Sequence, residues 1–284
     1  MSFMNRTEVK LILNQLKITP RKNLGQHFLI NNNILHKIIS LSEISKGDEI
    51  LEIGPGLGVL TEILVEKAKK VITIEIDPYL CTYLRDKFFD YKNIEIIHGD
   101  ILKAEIPFHN KVVSNIPYKI TGPIFEKVFY KKDAPQGILI IEKSIADRLF
   151  LNKNYKNISR ISIGFNSFMN LISKTTVSRN YFYPIPKVDQ NLVKIIPKSD
   201  LNPFLLETNT KNYFLRFIAG IMPYKNKQMV NAINLYFKSC MKQPFSKTEI
   251  LKILQENKFE NNKLLDFSVK SFLEICKLFY TYAK

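Results

Sequence analysis

The stretch Ile50-Leu51-Glu52-Ile53-Gly54-Pro55-Gly56-Leu57-Gly58 constrains the fold of this chain more than any other. Its mostly apolar start reads as a buried strand, three glycines crowd the turn, and Val59-Leu60-Thr61-Glu62-Ile63-Leu64-Val65 continues with helical spacing. Strand, glycine turn and helix make the first half of a βαβ unit, where open parallel sheets bind nucleotide-like ligands. Glycine suits such a turn because a Cβ would block the ligand's approach or forbid the backbone angles. Glycine turns also end ordinary strands, so the residues downstream decide what this one is for.

From Lys46 onward strands and helices alternate. The patterns predict strands at Glu49–Ile53, Val71–Glu75, Ile94–Ile97, Lys111–Ser114 and Gly137–Ile141, with helices at Leu57–Lys67, Pro78–Phe88, Pro123–Tyr130 and Lys143–Leu149. Near-continuous apolar strands separated by helices imply a parallel sheet covered on both faces. Leu171–Ser178 and Asn191–Ile196 read as two further strands without an intervening helix, an antiparallel edge. Pro197-Lys198-Ser199-Asp200 reads as a linker, and beyond it only helical patterns follow, at Tyr213–Met222, Lys227–Lys238, Lys247–Gln255 and Ser268–Tyr282. The expectation is a Rossmann-like α/β domain over residues 1–197 and a smaller all-α domain over 200–284. At the N-terminus, Arg6, Lys10, Lys17, Arg21 and Lys22 face a single acid, Glu8; Arg21–Leu29 lacks periodicity and reads as an ordered loop entering a helix near Asn33–Ile44.

Glu75, at the end of the second strand, stands where a carboxylate grips a ribose diol. The glycine spacing is GxGxG, and the third glycine of a dinucleotide fingerprint would fall on Val59; no Gly-Lys-Ser/Thr follows, which excludes a P-loop. S-adenosylmethionine fits better than NAD, since it offers a ribose and an amino-acid tail but no pyrophosphate. Asp100, after the third strand, is placed to accept from an adenine amino group, although a lone aspartate there is more often a turn residue.

The fourth strand ends in Asn115-Ile116-Pro117-Tyr118. An exocyclic amine on a base is a poor nucleophile because its lone pair is delocalised into the ring. Acceptors that bind both amine hydrogens as the nitrogen becomes tetrahedral stabilise the transition state selectively. The Asn115 side-chain oxygen and the Ile116 carbonyl supply that pair, Pro117 stiffens the backbone, and Tyr118 is positioned to stack on the base. Phe182, in Tyr181-Phe182-Tyr183-Pro184-Ile185-Pro186-Lys187-Val188-Asp189, is a candidate for the other face of a flipped-out base; the competing reading is a core phenylalanine. His36, His98 and His109 lack ligand spacing and read as structural.

The formal charge of +16 favours a polyanionic partner, nucleic acid ahead of a membrane surface. Cys81, Cys240 and Cys276 are too widely spaced for a zinc site or a disulfide framework. No cleavable signal or bilayer-length apolar run is evident, which leads to the expectation of a cytoplasmic protein. Without a coiled-coil or other repeating seam, a monomer is expected.

Taken in order from about Arg21 to Ile196, these motifs resemble the small-subunit ribosomal RNA adenine dimethyltransferase family, within the class I S-adenosylmethionine-dependent methyltransferases. The matching residues are Lys22-Asn23-Leu24-Gly25-Gln26-His27-Phe28-Leu29, Leu51–Gly58, Glu75-Ile76-Asp77, Gly99-Asp100, Asn115–Tyr118 and Phe182–Asp189. The resemblance implies that His27, Leu29, Gly54, Glu75, Asp100 and Asn115 contact S-adenosylmethionine, that Asn115, Tyr118 and Phe182 hold the target adenine, and that no metal takes part. It further implies two methyls on each of two adjacent adenosines in the hairpin loop near the 3′ end of small-subunit rRNA, with the rRNA or a pre-small-subunit particle as partner.

Some positions depart from the family pattern. His27 stands where many relatives carry Asn; Lys119 and Gly122 replace a frequent Asn and Ser; Glu142 and Ser144 replace a common Gln and Glu. Met222-Pro223-Tyr224-Lys225-Asn226-Lys227-Gln228-Met229 replaces an Arg-Arg-Lys-rich run, which weakens any transfer of RNA contacts to the helical domain. A macrolide-resistance methyltransferase of large-subunit rRNA shares the tetrad and the Pro-Lys-Val loop, but Gly25-Gln26-His27-Phe28 and Gly56-Leu57-Gly58 fit the small-subunit type better. A non-catalytic nucleic-acid-binding factor on this fold would not need Asn115, Tyr118, Glu75 and Asp100 together.

Overall fold

A computed structural model describes residues 4–21, 24–151, 158–240 and 245–282; Lys22 and Asn23 of the first motif lie outside them. In chain order the elements begin with α1 (Arg6–Gln15), β1 (Phe28–Leu29), α2 (Asn32–Ser42), β2 (Glu49–Ile53), α3 (Val59–Lys67), β3 (Lys70–Glu75), α4 (Pro78–Lys87) and β4 (Ile94–His98). They continue with β5 (Lys111–Asn115), α5 (Thr121–Ile124), β6 (Gln136–Glu142), α6 (Lys143–Leu149), α7 (Arg160–Phe168), β7 (Met169–Val177), β8 (Phe182–Tyr183) and β9 (Gln190–Pro197). Four helices close the chain, α8 (Thr208–Ile221), α9 (Met229–Cys240), α10 (Lys247–Glu256) and α11 (Val269–Tyr282).

Seven strands form one sheet in the order β4-β3-β2-β5-β6-β9-β7. The first five run parallel, with Ile53 opposite Ile74, Leu51 opposite Val112 and Asn115 opposite Ile140. β9 runs antiparallel to β6, with Leu192 opposite Ile140, and β7 lies outside it, so the two late strands make the expected edge. The chain moves outward from β2 in one direction through β3 and β4, then returns to build β5 and β6 on the other side. The strand order therefore reverses between β2 and β5, and a crevice opens at their carboxyl ends. Gly54 follows the first of these strands and Asn115 ends the second.

Contacts divide the chain into two compact units, one of residues 1–129, 133–147 and 170–197, the other of 130–132, 148–169 and 198–284. Two stretches of residues 1–197, Tyr130–Lys132 and Arg148–Met169, fall in the second unit. Arg148–Met169 groups with the C-terminal helices because Ile163, Phe165 and Phe168 of α7 are buried and the helix packs on α8 and α11. That unit is held by an aromatic core in which Phe214, Phe217, Phe237, Phe272 and Phe279 are all buried, with the Phe237 and Phe279 rings 5.4 Å apart.

Within the sheet unit, α1 is the main element the sequence reading passed over. Asn5 and Glu8 form a reciprocal capping box, and Val9, Leu13 and Ile18 pack on Phe28, Leu57 and Leu80. β1 and β8 pair as a separate two-stranded sheet, with Phe28 opposite Tyr183. The helix expected over Pro123–Tyr130 is a short α-helical turn running into a π-helical one at Phe125–Phe129.

Candidate active site

The glycine turn is built for close approach. Gly54, Gly56 and Gly58 all have positive φ, at 67°, 60° and 73°. A Cβ on Gly56 would lie 3.0 Å from the Phe28 ring, and one on Gly58 would lie 2.8 Å from Phe88 and 2.9 Å from Leu84. Gly54 instead meets only Pro117, at 3.5 Å, so the turn after β2 touches the tetrad that ends β5. Under the turn sits Glu75, 4% exposed, its carboxylate accepting from the N–H groups of Asp77 (3.0 Å) and Gly56 (3.2 Å). Burial pushes its pKa up and those two N–H groups partly offset it. Glu52, at 2% exposure, accepts from the Thr61 hydroxyl at 2.6 Å, and burial pushes it up to about 8, with the Glu75 charge adding to the shift. Two buried carboxyls therefore stand on one wall of an apolar cavity.

The cavity is lined by all six residues expected to hold the cofactor, His27, Leu29, Gly54, Glu75, Asp100 and Asn115, together with Glu52 and Lys119. Asp100 accepts at Oδ1 from Leu102 N at 2.9 Å, as a turn residue would, and is also among the residues that line the cavity. Gln26 was not singled out by sequence, yet its amide donates to buried Asp77 (3.1 Å) and accepts from Arg21 N (2.8 Å). Asp77 in turn caps α4 by accepting from Tyr79 N, so Gln26 fastens the N-terminal segment to the wall beside Glu75. Its signal was present in the Gly25-Gln26-His27 motif but gave no partner. His109 is structural as read, buried with Nδ1 2.8 Å from the Pro107 carbonyl, and the three cysteines are free thiols.

At the end of β5, Asn115 Nδ2 donates to the His27 carbonyl at 2.9 Å. The carbonyl can only accept, which fixes the amide so that Oδ1 is the free atom. That oxygen is buried with no hydrogen-bond partner. The Tyr118 hydroxyl is likewise buried without a partner; burial raises its pKa and Glu142 adds to the rise. The Tyr118 ring stacks on His27, with centroids 5.2 Å apart and planes 13° from parallel.

Phe182 does not join this group. It is 0% exposed and packed in the core that also contains Leu29, Ile140, Val177 and Leu192; like Ile116 and Tyr118 it is absent from the cavity lining. β8 pairs with β1, with Phe182 opposite Leu29, and the Phe182 side chain belongs to the buried cluster under the sheet unit's helices and strands. The structure thus places Phe182 in the core, apart from the residues that line the cavity.

An unpaired buried acceptor is costly in an empty protein and is satisfied by a ligand that donates. Asn115 Oδ1 and the Glu75 carboxyl offer acceptors to an amine and to hydroxyls, while Leu29, Ile53, Leu57 and Ile101 give the cavity an apolar lining. The residues present therefore fit a nucleoside-bearing cofactor.

A model of the family described as ribosomal RNA adenine dimethylase matches residues 18–277. A probable ribosomal RNA small subunit methyltransferase A from Methanosarcina mazei is 36% identical over 255 residues, spanning 90% of this chain and 91% of the relative. Among solved structures, a dimethyladenosine transferase from Plasmodium falciparum superimposes with a TM-score of 0.74 at 29% identity, over 90% of this chain and 98% of the other. The 23S rRNA methyltransferase ErmE shares the fold, with a TM-score of 0.60 at 22% identity over 88% of this chain and 98% of the other.

Proposed function

The chain belongs to the ribosomal RNA adenine dimethylase family, and from that premise we propose which residues carry the chemistry and how the RNA is held. It is an S-adenosylmethionine-dependent rRNA adenine dimethyltransferase of the small-subunit type. The observation that carries the proposal is the buried, unpaired Oδ1 of Asn115 at the sheet's switch point.

S-adenosylmethionine, when bound, supplies an electrophilic methyl on a sulfonium. Glu75 would accept from the ribose hydroxyls and Asp100 from the cofactor's adenine amine, with Gly54, His27 and Leu29 lining the remainder of its site. Asn115 Oδ1 and the Ile116 carbonyl accept the hydrogens of the target amine, drawing its lone pair out of the ring as the nitrogen becomes tetrahedral and cationic. The acceptors are fixed before the substrate arrives, so little reorganisation is needed at the moment of reaction. The Tyr118 ring supports the base by stacking. No general base is required, because the product nitrogen releases its proton to water.

For the RNA, a depression lined by Lys143, Arg179 and Lys187, with Asp147 and Asp189 also on its wall, supports a backbone contact beside the target nucleotide. Lys143 lies three residues beyond Ile140, the strand partner of Asn115, at the same end of the sheet. Lys143 is paired with Asp147, whereas Arg179 and Lys187 form no ion pair among the described residues. The substrate is the 3′-terminal hairpin of small-subunit rRNA, presented as a pre-small-subunit particle, and the protein acts as a cytoplasmic monomer. Among the described residues no helix is long and apolar enough to cross a membrane.

The test is to incubate the protein and labelled S-adenosylmethionine with small-subunit particles lacking the modification, and separately with large-subunit rRNA. Labelled dimethyladenosine in the small-subunit sample is expected. Label only in the large-subunit sample would favour the macrolide-resistance type of activity, and RNA binding without label would favour a non-catalytic factor.

A further inference from the structure

His27 enters the account above only as a residue lining the cofactor site, yet three contacts around the reactive cleft converge on it. Its backbone carbonyl accepts from Asn115 Nδ2 at 2.9 Å, its ring stacks on Tyr118, and its Nδ1 lies 2.6 Å from the Pro184 carbonyl. These join the N-terminal loop, the end of β5 and the loop that follows β8, three segments far apart in sequence.

Each contact has a definite chemical consequence. Because the Pro184 carbonyl can only accept, Nδ1 carries the hydrogen and donates it. That bond anchors the imidazole plane to the loop. The imidazole in turn covers one face of Tyr118, at 5.2 Å and 13°. Tyr118 has no polar anchor of its own, since its hydroxyl is buried without a partner. The stacked imidazole is thus a contact that fixes the tilt of the phenol ring. The backbone carbonyl completes the set by turning the Asn115 amide so that Oδ1 is free.

We propose that His27 is the positioning residue of the adenine pocket: its ring, tied to Pro184, sets the plane of Tyr118, and its carbonyl sets the orientation of Asn115. This rests on the proposed reading that the amine is methylated between Asn115 and Tyr118. It assigns to His27 a role in the chemical step that is separate from any contact with the cofactor.

Three variants separate the contributions, since all keep the backbone carbonyl. His27→Ala removes both stack and hydrogen bond, His27→Asn keeps a polar group without the stack, and His27→Phe keeps an aromatic ring without the tie to Pro184. An aromatic pair contributes enough to expect about a tenfold change. At saturating cofactor, His27→Ala and His27→Asn should each lower kcat about tenfold, while His27→Phe should recover kcat to within about threefold of the parent. Cofactor Kd, measured by calorimetry without RNA, and RNA Kd are read on the same samples, and the thermal midpoint confirms folding. Recovery by Phe, with Asn as impaired as Ala, supports the proposal whatever happens to cofactor Kd. Full kcat in His27→Ala at saturating cofactor, with only Kd weakened, would overturn it, as would equal impairment of Phe and Ala in folded protein. If the parent itself transfers no methyl to adenosine, the failure belongs to the proposed function and not to His27.

Discussion

Replacing Glu52 by glutamine should stabilise the cofactor-free protein at pH 8 and change it little at pH 5. Glu52 is 2% exposed, accepts one hydrogen bond from Thr61 Oγ1, and faces Glu75 from the next strand. Burial is the main cause of its rise to about 8; the Glu75 charge adds to it, while the Thr61 hydrogen bond and the Lys87 ammonium oppose it. The folded state then keeps a proton on Glu52 that the unfolded chain releases above the ordinary carboxyl pKa of 4.5. Fewer protons bound in the unfolded state means that stability falls as pH rises from 4.5 to about 8, and levels beyond. The slope is about 1.4 kcal/mol per pH unit, on the order of 3 kcal/mol by pH 7. Glutamine, neutral throughout and still able to accept from Thr61, removes that slope.

The assay is thermal unfolding followed by circular dichroism at pH 5 and pH 8 for parent and variant. At roughly 2–4 °C per kcal/mol, the variant should gain at least about 5 °C over the parent at pH 8 and far less at pH 5. A variant whose midpoint shifts equally at both pH values would refute the reasoning, because a lost hydrogen bond has no reason to depend on pH in this window. The gain should come at the expense of binding. S-adenosylmethionine brings a sulfonium and an ammonium, which favour the charged form of Glu52, so Glu52→Gln should bind it more weakly. Calorimetry of the parent in buffers of different ionisation heat should show proton release on binding at pH 7.

Other residues give sharper local tests. Gly54→Ala meets no close neighbour and should cost only the left-handed strain of about 1–2 kcal/mol, while weakening cofactor binding about tenfold; Gly58→Ala adds overpacking against Phe88 and Leu84 and should lose about 3 kcal/mol or more by urea titration. Phe182→Leu should retain kcat within about threefold while costing roughly 1 kcal/mol of stability, and a large loss of kcat with intact stability would restore a stacking role. The double change Arg179→Ala with Lys187→Ala should leave kcat unchanged and flatten the salt dependence of RNA binding, lowering the slope of log K on log salt by about 1.4.

Much of the sheet was legible because its signal is one-dimensional. Ile50, Leu51, Val71, Ile72, Val112 and Val113 are each fully buried, as continuous apolar runs between helices require. The six positions expected to hold the cofactor line one cavity because a parallel sheet brings the ends of its strands together at the switch point. What escaped depends on partners distant in sequence. α1 carries a signal in the Asn5–Glu8 capping box, but basic side chains interrupt the apolar stripe of Val9, Leu13 and Leu16 in the sequence. Phe182 has the same local sequence whether it plugs a core or faces a cleft; packing with Leu29, Ile140, Val177 and Leu192 decides, and contacts between segments so far apart are invisible in one chain. The same limit hid the link between Gln26 and Asp77 and the convergence on His27.

The central claim is that the unpaired oxygen of Asn115 activates an adenine amine, and it is tested most directly by comparing Asn115→Ala with the parent in single-turnover methyl transfer and in RNA and cofactor binding. Loss of a preorganised acceptor at the reacting atom should slow transfer by about 100-fold or more, with RNA affinity kept within about threefold and a smaller loss of cofactor affinity. Equal losses in transfer and in RNA binding would contradict the role assigned to Asn115.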